Sequence, residues 1–228
     1  MSTHDISPFG PDMNPEHPIA DVAAELAQAL TAAGFTADGI AGHLGPEYTE
    51  AWHRGEPAAV ALGTRGDTDL DHLIRIFVLH EHVPATLLSD VLGARLAAKL
   101  LDSGVAQTDE HGTVYVAYDI RPHVIVGRNR LVFSDVDASL VDHVPGADHV
   151  LGVGSASLSL LHSTPTSPVS SVLDLGTGSG VQLLGQLDSA ERIVATDVHE
   201  RALDLARATV TAADATHRVD LRSGSWFD

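Results

Sequence analysis

The sequence predicts an α/β protein in two parts, a mostly helical N-terminal domain followed by the first half of an open parallel sheet. Three observations carry this reading. Apolar residues recur at helical spacing through the N-terminal half. A glycine-rich turn, Gly176-Thr177-Gly178-Ser179-Gly180, follows directly on the apolar run Val172 to Leu175. A second apolar run, Ile193 to Thr196, ends in Asp197, so strand, turn, helix and strand succeed one another as a βαβ unit requires.

The elements follow in order. Ile19, Val22, Leu26 and Leu30 share one helical face, and Gly34 stands where a helix C-cap is expected. Thr36 is the N-cap of a short helix carrying Ile40 and Leu44. After a loop at Gly63 to Thr68, the residues Leu70, Leu73, Ile74 and Phe77 mark another helix, and two more are expected at Ala85 to Leu92 and Ala94 to Leu101. The alternation of Val114, Val116 and Tyr118 behind the turn Asp109-Glu110-His111-Gly112 predicts a β-hairpin. Helices followed by a hairpin give a winged-helix-like outline. Short strands are expected at Val124 to Val126 and Leu131 to Phe133, and the Ser/Thr/Pro stretch Ser163 to Ser170 leads into the second domain. There Val172 to Leu175 reads as a strand buried on both faces, Ile193 to Thr196 as its neighbour, and Ala202, Leu205, Ala206 and Val210 as one face of a helix before a third strand at Val219 to Leu221. The boundaries are thus a disordered tail over 1–18, a helical winged-helix-like domain over 19–122, connecting strands and linker over 123–170, and a partial Rossmann-like domain over 171–228.

Composition narrows the function classes. The chain has 228 residues, of which 44% are apolar, and no window approaches the ~18 uninterrupted apolar residues of a membrane span. Met1 to Pro18 lacks a basic-then-apolar signal pattern, so a cytoplasmic location and no membrane partner are expected. Without cysteine, disulfides, thiolate catalysis and Cys-ligated zinc are excluded. The net charge is −18, with 13 Lys and Arg against 31 Asp and Glu. Phosphate backbones are bound through cations, so direct nucleic-acid binding is disfavoured. The helix that would enter a DNA groove offers only Arg95 and Lys99.

The glycine spacing and the acids around it carry the chemistry. Glycines at the carboxyl end of a strand let the backbone turn sharply and approach a ligand, and the next helix begins at the same place. Asp197 lies 23 residues after Asp174, near the ~20 typical of a nucleotide-binding βαβ unit, and its carboxylate can accept both hydroxyls of a ribose. Asp174 lies inside the motif, where it would repel a pyrophosphate but accept from an ammonium.

With these residues in place, the run DLGTGSG and the strand-end Asp197 resemble class I S-adenosylmethionine-dependent methyltransferases, over residues 171 to 228. The resemblance implies S-adenosylmethionine as cofactor. It also implies that Asp174, Gly176, Thr177, Gly178 and Gly180 form the loop around its methionine part, that Asp197 holds the ribose, and that Val198 flanks the adenine. Within the class, the segment Ser223-Gly224-Ser225-Trp226-Phe227 is similar to the Gly-Asp-x-Phe segment of the glutamine N5 and adenine N6 methyltransferases, which include the release-factor enzymes. Ser225 stands where that group has Asp, and Ser225 and Trp226 are the implied adenine contacts. The Asn-Pro-Pro-Tyr motif that positions the target nitrogen in that group does not occur in this sequence, so no catalytic residue is assigned. The expectation is a methyltransferase acting on a nitrogen, with a protein glutamine as acceptor and a protein substrate as partner. Its catalytic half is then absent from these 228 residues, which by themselves are inactive. The alternative is a non-catalytic cofactor-binding or protein-interaction module.

Other clusters carry less. His80 and His82 do not share a helical face and no HExxH occurs, so no metal site is assigned. Asp67, Asp69 and Asp71 lack the Gly and terminal Glu of a calcium loop and read as loop or helix-cap acids. Ser155, Ser157 and Ser159 read as cap and packing residues.

Overall fold

The structure, a computed structural model, describes residues 18–137 and 146–225. Of the tail assigned to residues 1–18, residues 1–17 lie outside the described residues, as does the candidate contact Trp226, while Pro18 already opens a helix. Helices and strands are both present along the chain, strictly alternating only from α7 onward, and the mixed α/β class holds.

Helix α1 spans Pro18–Ala32 and buries Ile19, Val22, Leu26 and Leu30 as one stripe. Gly34 closes it with φ 79°. The hydroxyl of Thr36 then accepts from the Gly39 amide at 3.0 Å, capping α2 (Ala37–His53). The short helix expected over Ile40 and Leu44 ends at Gly45, whose φ of 74° and ψ of 171° are not helical, because Pro46 disfavours a helical residue before it and brings no N–H of its own. A second helical segment then runs on to His53. A further helix, α3 (Pro57–Gly63), was not expected.

The remaining N-terminal elements are α4 (Asp69–Phe77), β1 (Val83–Pro84), α5 (Ala85–Leu92), α6 (Ala94–Asp102), β2 (Ala106–Thr108) and β3 (Thr113–Val116). The strands form an antiparallel sheet in the order β1-β3-β2. A second antiparallel pair, β4 (Asp119–Ile125) and β5 (Arg128–Ser134), follows, and β4 continues across residue 122. The N-terminal core is built on Leu26, Leu30, Phe35, Ile40, Leu73, Phe77 and Leu100, with the rings of Phe35 and Phe77 5.7 Å apart.

After α7 (Ser155–Ser163), the C-terminal elements are β6 (Val169–Leu175), α8 (Val181–Gly185), β7 (Ala190–Asp197), α9 (Glu200–Ala212) and β8 (Val219–Ser223). The three strands are parallel, in the order β6-β7-β8, with Leu175 opposite Thr196 and Asp197 opposite Ser223. Helix α9 serves two cores. Its Ala202, Leu205 and Ala208 join the N-terminal cluster, while Val210 packs with Val181, Leu184, Ile193 and Ala195 beside the parallel sheet.

One expectation is corrected here. Strand β6 is not buried on both faces: Leu173 is 59% exposed and Leu175 42%. Among the described residues β6 has a neighbour only on the β7 side, and the face carrying Leu173 and Leu175 is uncovered. The apolar run that predicts a strand does not reveal how many layers cover it.

Candidate functional site

The carboxyl ends of β6, β7 and β8 form one edge, and the glycine turn wraps it. The amides of Gly176 and Thr177 both donate to the Thr196 carbonyl at 2.9 Å, tying the start of the turn to β7. Gly176, Gly178 and Gly180 have φ values of 70°, 53° and 83°, in the left-handed region that other residues enter at a cost. A Cβ at Gly176 or Gly178 would point into open space, whereas one at Gly180 would meet Leu183 at 3.3 Å and the α9 backbone at Ala206 at 3.6 Å. The first two glycines thus leave open space beside the turn among the described residues, and the third also permits close packing of the turn on α9.

Two carboxylates flank the turn. Asp174, the next-to-last residue of β6, accepts from the Thr177 hydroxyl at 2.8 Å. Burial pushes its carboxyl above the ordinary value, opposed by the Thr177 hydroxyl and reinforced by the nearby Asp197 charge. Asp197, only 9% exposed, accepts from the Gly178 amide at 3.0 Å through Oδ2 and from the His199 amide at 3.1 Å through Oδ1. Its carbonyl accepts from Gly224 at 3.0 Å, which draws the turn carrying Ser225 to the same corner. A carboxylate has roughly four acceptor positions, so two backbone donors leave Asp197 able to accept further hydroxyls. Val198, beside it, is 58% exposed.

Asp174, Gly176, Thr177, Gly178, Asp197, Val198 and Ser225 therefore gather at one sheet edge, with Gly180 beneath the turn against α9. The structure adds neighbours that the sequence reading passed over. The buried hydroxyl of Ser179 donates to the Leu151 carbonyl at 2.9 Å, fastening the turn to the segment before α7. Among the described residues the buried Thr196 hydroxyl has no hydrogen-bond partner. Ser179 stands inside the recognised motif and was visible there, but its distant partner Leu151 had no local signal.

The remaining candidates have structural employment. Asp71 is the third residue of α4; its carboxylate accepts from the Thr68 amide at 3.1 Å while the Thr68 hydroxyl accepts from the Asp71 amide at 3.2 Å, and His43 joins at 2.8 Å. His82 pairs with Asp109 at 2.6 Å and stacks on Tyr115, while His80 lies 3.5 Å from Asp119. Among the described residues, no group of three or more His, Cys, Asp or Glu side chains is arranged to hold a metal ion. No helix among them is long and apolar enough to cross a membrane. On α6, Lys99 is ion-paired with Glu25 of α1, and Arg95 reaches the same carboxylate at 4.0 Å.

A family model described as a domain of unknown function (DUF7059) matches residues 32–117. The match begins at the end of α1, takes in α2 to β3 and ends before the glycine turn. No curated protein matches the chain.

Proposed function

We propose that this chain binds S-adenosylmethionine at the glycine turn and belongs to a methyltransferase that acts on a nitrogen, with a protein glutamine side chain as the acceptor. The observation that carries the reading is the Asp197 carboxylate, held by the Gly178 amide at 3.0 Å so that a ribose-binding acid and a glycine turn form one corner of a parallel sheet. Asp174, inside the motif, disfavours a pyrophosphate, and a ligand ammonium would relieve the burial of its charge. The open space above Gly176 and Gly178 fits the backbone approach such a ligand needs.

When bound, S-adenosylmethionine supplies an electrophilic methyl carbon on a sulfonium. The chain's own residues do the holding. Asp197 accepts from the ribose, Asp174 and Thr177 face the methionine part, and Val198 and Ser225 flank the base. No catalytic residue is assigned, and positioning is the whole of the contribution read from this chain. The parallel order β6-β7-β8 supports a Rossmann-like first half-sheet. The succession α4, β1, α5, α6 and the β2–β3 hairpin supports a winged-helix-like docking domain. With both α6 cations engaged by Glu25 and a net charge of −18, that domain is assigned to a protein partner rather than DNA.

Ligand-observed NMR, which registers even millimolar affinity, tests the cofactor with S-adenosylhomocysteine. The expected result is saturable binding, weakened about tenfold or more by Asp197→Ala, the loss of a charge-assisted hydrogen bond worth roughly 1.5–3 kcal/mol. No signal from the unaltered chain removes the cofactor assignment. A second reading, an interaction module without methyl transfer, draws on the exposure of Leu151 (75%), Leu160 (54%) and Leu173 (59%). Cofactor-independent capture of a partner together with absent S-adenosylhomocysteine binding would favour it.

A further inference from the structure

We propose that Asp135 is a positioning residue of the nucleoside corner: through Val150 on one side and Arg201 on the other, it closes a ring that fixes Gly178 against Asp197. The proposal rests on the reading of that corner as a nucleoside site, and its physical content is the ring itself.

Asp135 follows β5 directly and is 9% exposed. Its amide donates to the Val150 carbonyl at 3.0 Å, and its Oδ2 accepts from the Val150 amide at 2.8 Å. Both backbone polar groups of Val150 are thereby held by one residue. The next carbonyl, that of Leu151, accepts from the buried Ser179 hydroxyl at 2.9 Å, and Ser179 adjoins Gly178, whose amide donates to Asp197. Asp197 in turn accepts from His199, the residue before α9. Arg201, in the first turn of α9, returns to Asp135 with Nε at 3.1 and 3.0 Å from the two carboxylate oxygens and a further ion pair through its terminal nitrogen. Its guanidinium lies 5.7 Å from the centroid of the buried Tyr118 ring, and His149 Nδ1 stands 3.7 Å from Asp135.

The circuit runs from Asp135 through Val150, Leu151, Ser179, Gly178, Asp197, His199 and Arg201 back to Asp135. With the Asp135 carboxylate 9% exposed and the Arg201 side chain 25% exposed, the pair is held at a partial desolvation cost, and its gain is a fixed geometry. Breaking any link should release the turn, because a closed circuit constrains Gly178 from both sides and an opened one from a single side. Asp135 touches no ligand in this scheme; it sets where the residues that would touch one stand.

The test uses Asp135→Asn and Ser179→Ala in the full chain, separately and together, with two readouts. Amide hydrogen exchange followed by NMR should show the Gly178 and His199 amides exchanging about tenfold faster in each variant, while amides in α1 and α4 keep their protection. The dissociation constant for S-adenosylhomocysteine should rise about tenfold, with the double variant no weaker than the weaker single one, as members of one network behave. Unchanged exchange at Gly178 in both variants overturns the ring, and so does strictly additive loss of affinity in the double variant. If Asp135→Asn fails to fold, Ser179→Ala alone decides, since it removes a single hydroxyl. If the unaltered chain binds no S-adenosylhomocysteine, the nucleoside reading fails while the exchange result still judges the ring.

Discussion

Asp174 shows how one residue's setting can be tested apart from any ligand. Burial raises its folded pKa, with the Thr177 hydroxyl opposing. A carboxyl raised in the folded state contributes stability that is complete below its unfolded pKa, ordinarily 3.8, and is lost as pH rises through the folded value. Asp174→Asn should therefore melt above the unaltered protein at neutral pH, with the gap narrowing as pH falls towards 4, roughly the unperturbed carboxylate value. Thermal melts across that range decide the matter, and a gap that widens on acidification contradicts the assignment of cause. The motif that singles out Asp174 is legible in a single line of sequence, as are the strand end at Asp197 and the cap at Thr36. Each depends on neighbours within a few positions, which is the range over which backbone geometry and short side chains act. The Ser179 to Leu151 bond spans 28 residues, and no local preference announces it.

At the scale of elements, periodicity located the helices that bury one stripe, such as α1 and α4, because burial of a face selects for that spacing. Around α2 the Gly45-Pro46 stop signal holds: Gly45 leaves helical geometry with φ 74° and ψ 171°, so the short helix carrying Ile40 and Leu44 ends there, and what periodicity missed is the second helical segment running on to His53. Strand β6 is the instructive case, since an apolar run reads the same whether its faces are covered or open. With one free edge among the described residues and Leu173 59% exposed, it has the features of a strand prone to self-association. Leu173→Lys should lower self-association, measured by sedimentation across a concentration series, without lowering the melting temperature. A fall in melting temperature equal to that of a core substitution would show that the face is covered in solution.

At the scale of the molecule, the glycine-turn sheet and the N-terminal helices are not independent. Helix α9 contributes Ala202, Leu205 and Ala208 to the core that holds Leu26 and Leu30, its Thr209 hydroxyl accepts from the Phe133 amide at 3.1 Å, and its Arg201 binds Asp135. The most protected amides of α1 and α9 should then exchange with one common opening free energy, and Leu26→Ala, roughly 2–5 kcal/mol destabilising for a fully buried leucine, should lower both alike. Loss of protection in α1 alone would show two separately folding units. By itself the sequence determined the α/β class, the main helices and parallel strands, the glycine turn and its two acids, because periodicity, capping and turn chemistry are local. Only the tertiary structure decided that β6 lies open on one face, that Glu25 occupies the cations of α6, and that α9 belongs to both cores. Those outcomes depend on which surfaces meet across long stretches of chain, and burial there is settled by the assembled layers, not by any residue's neighbours in sequence.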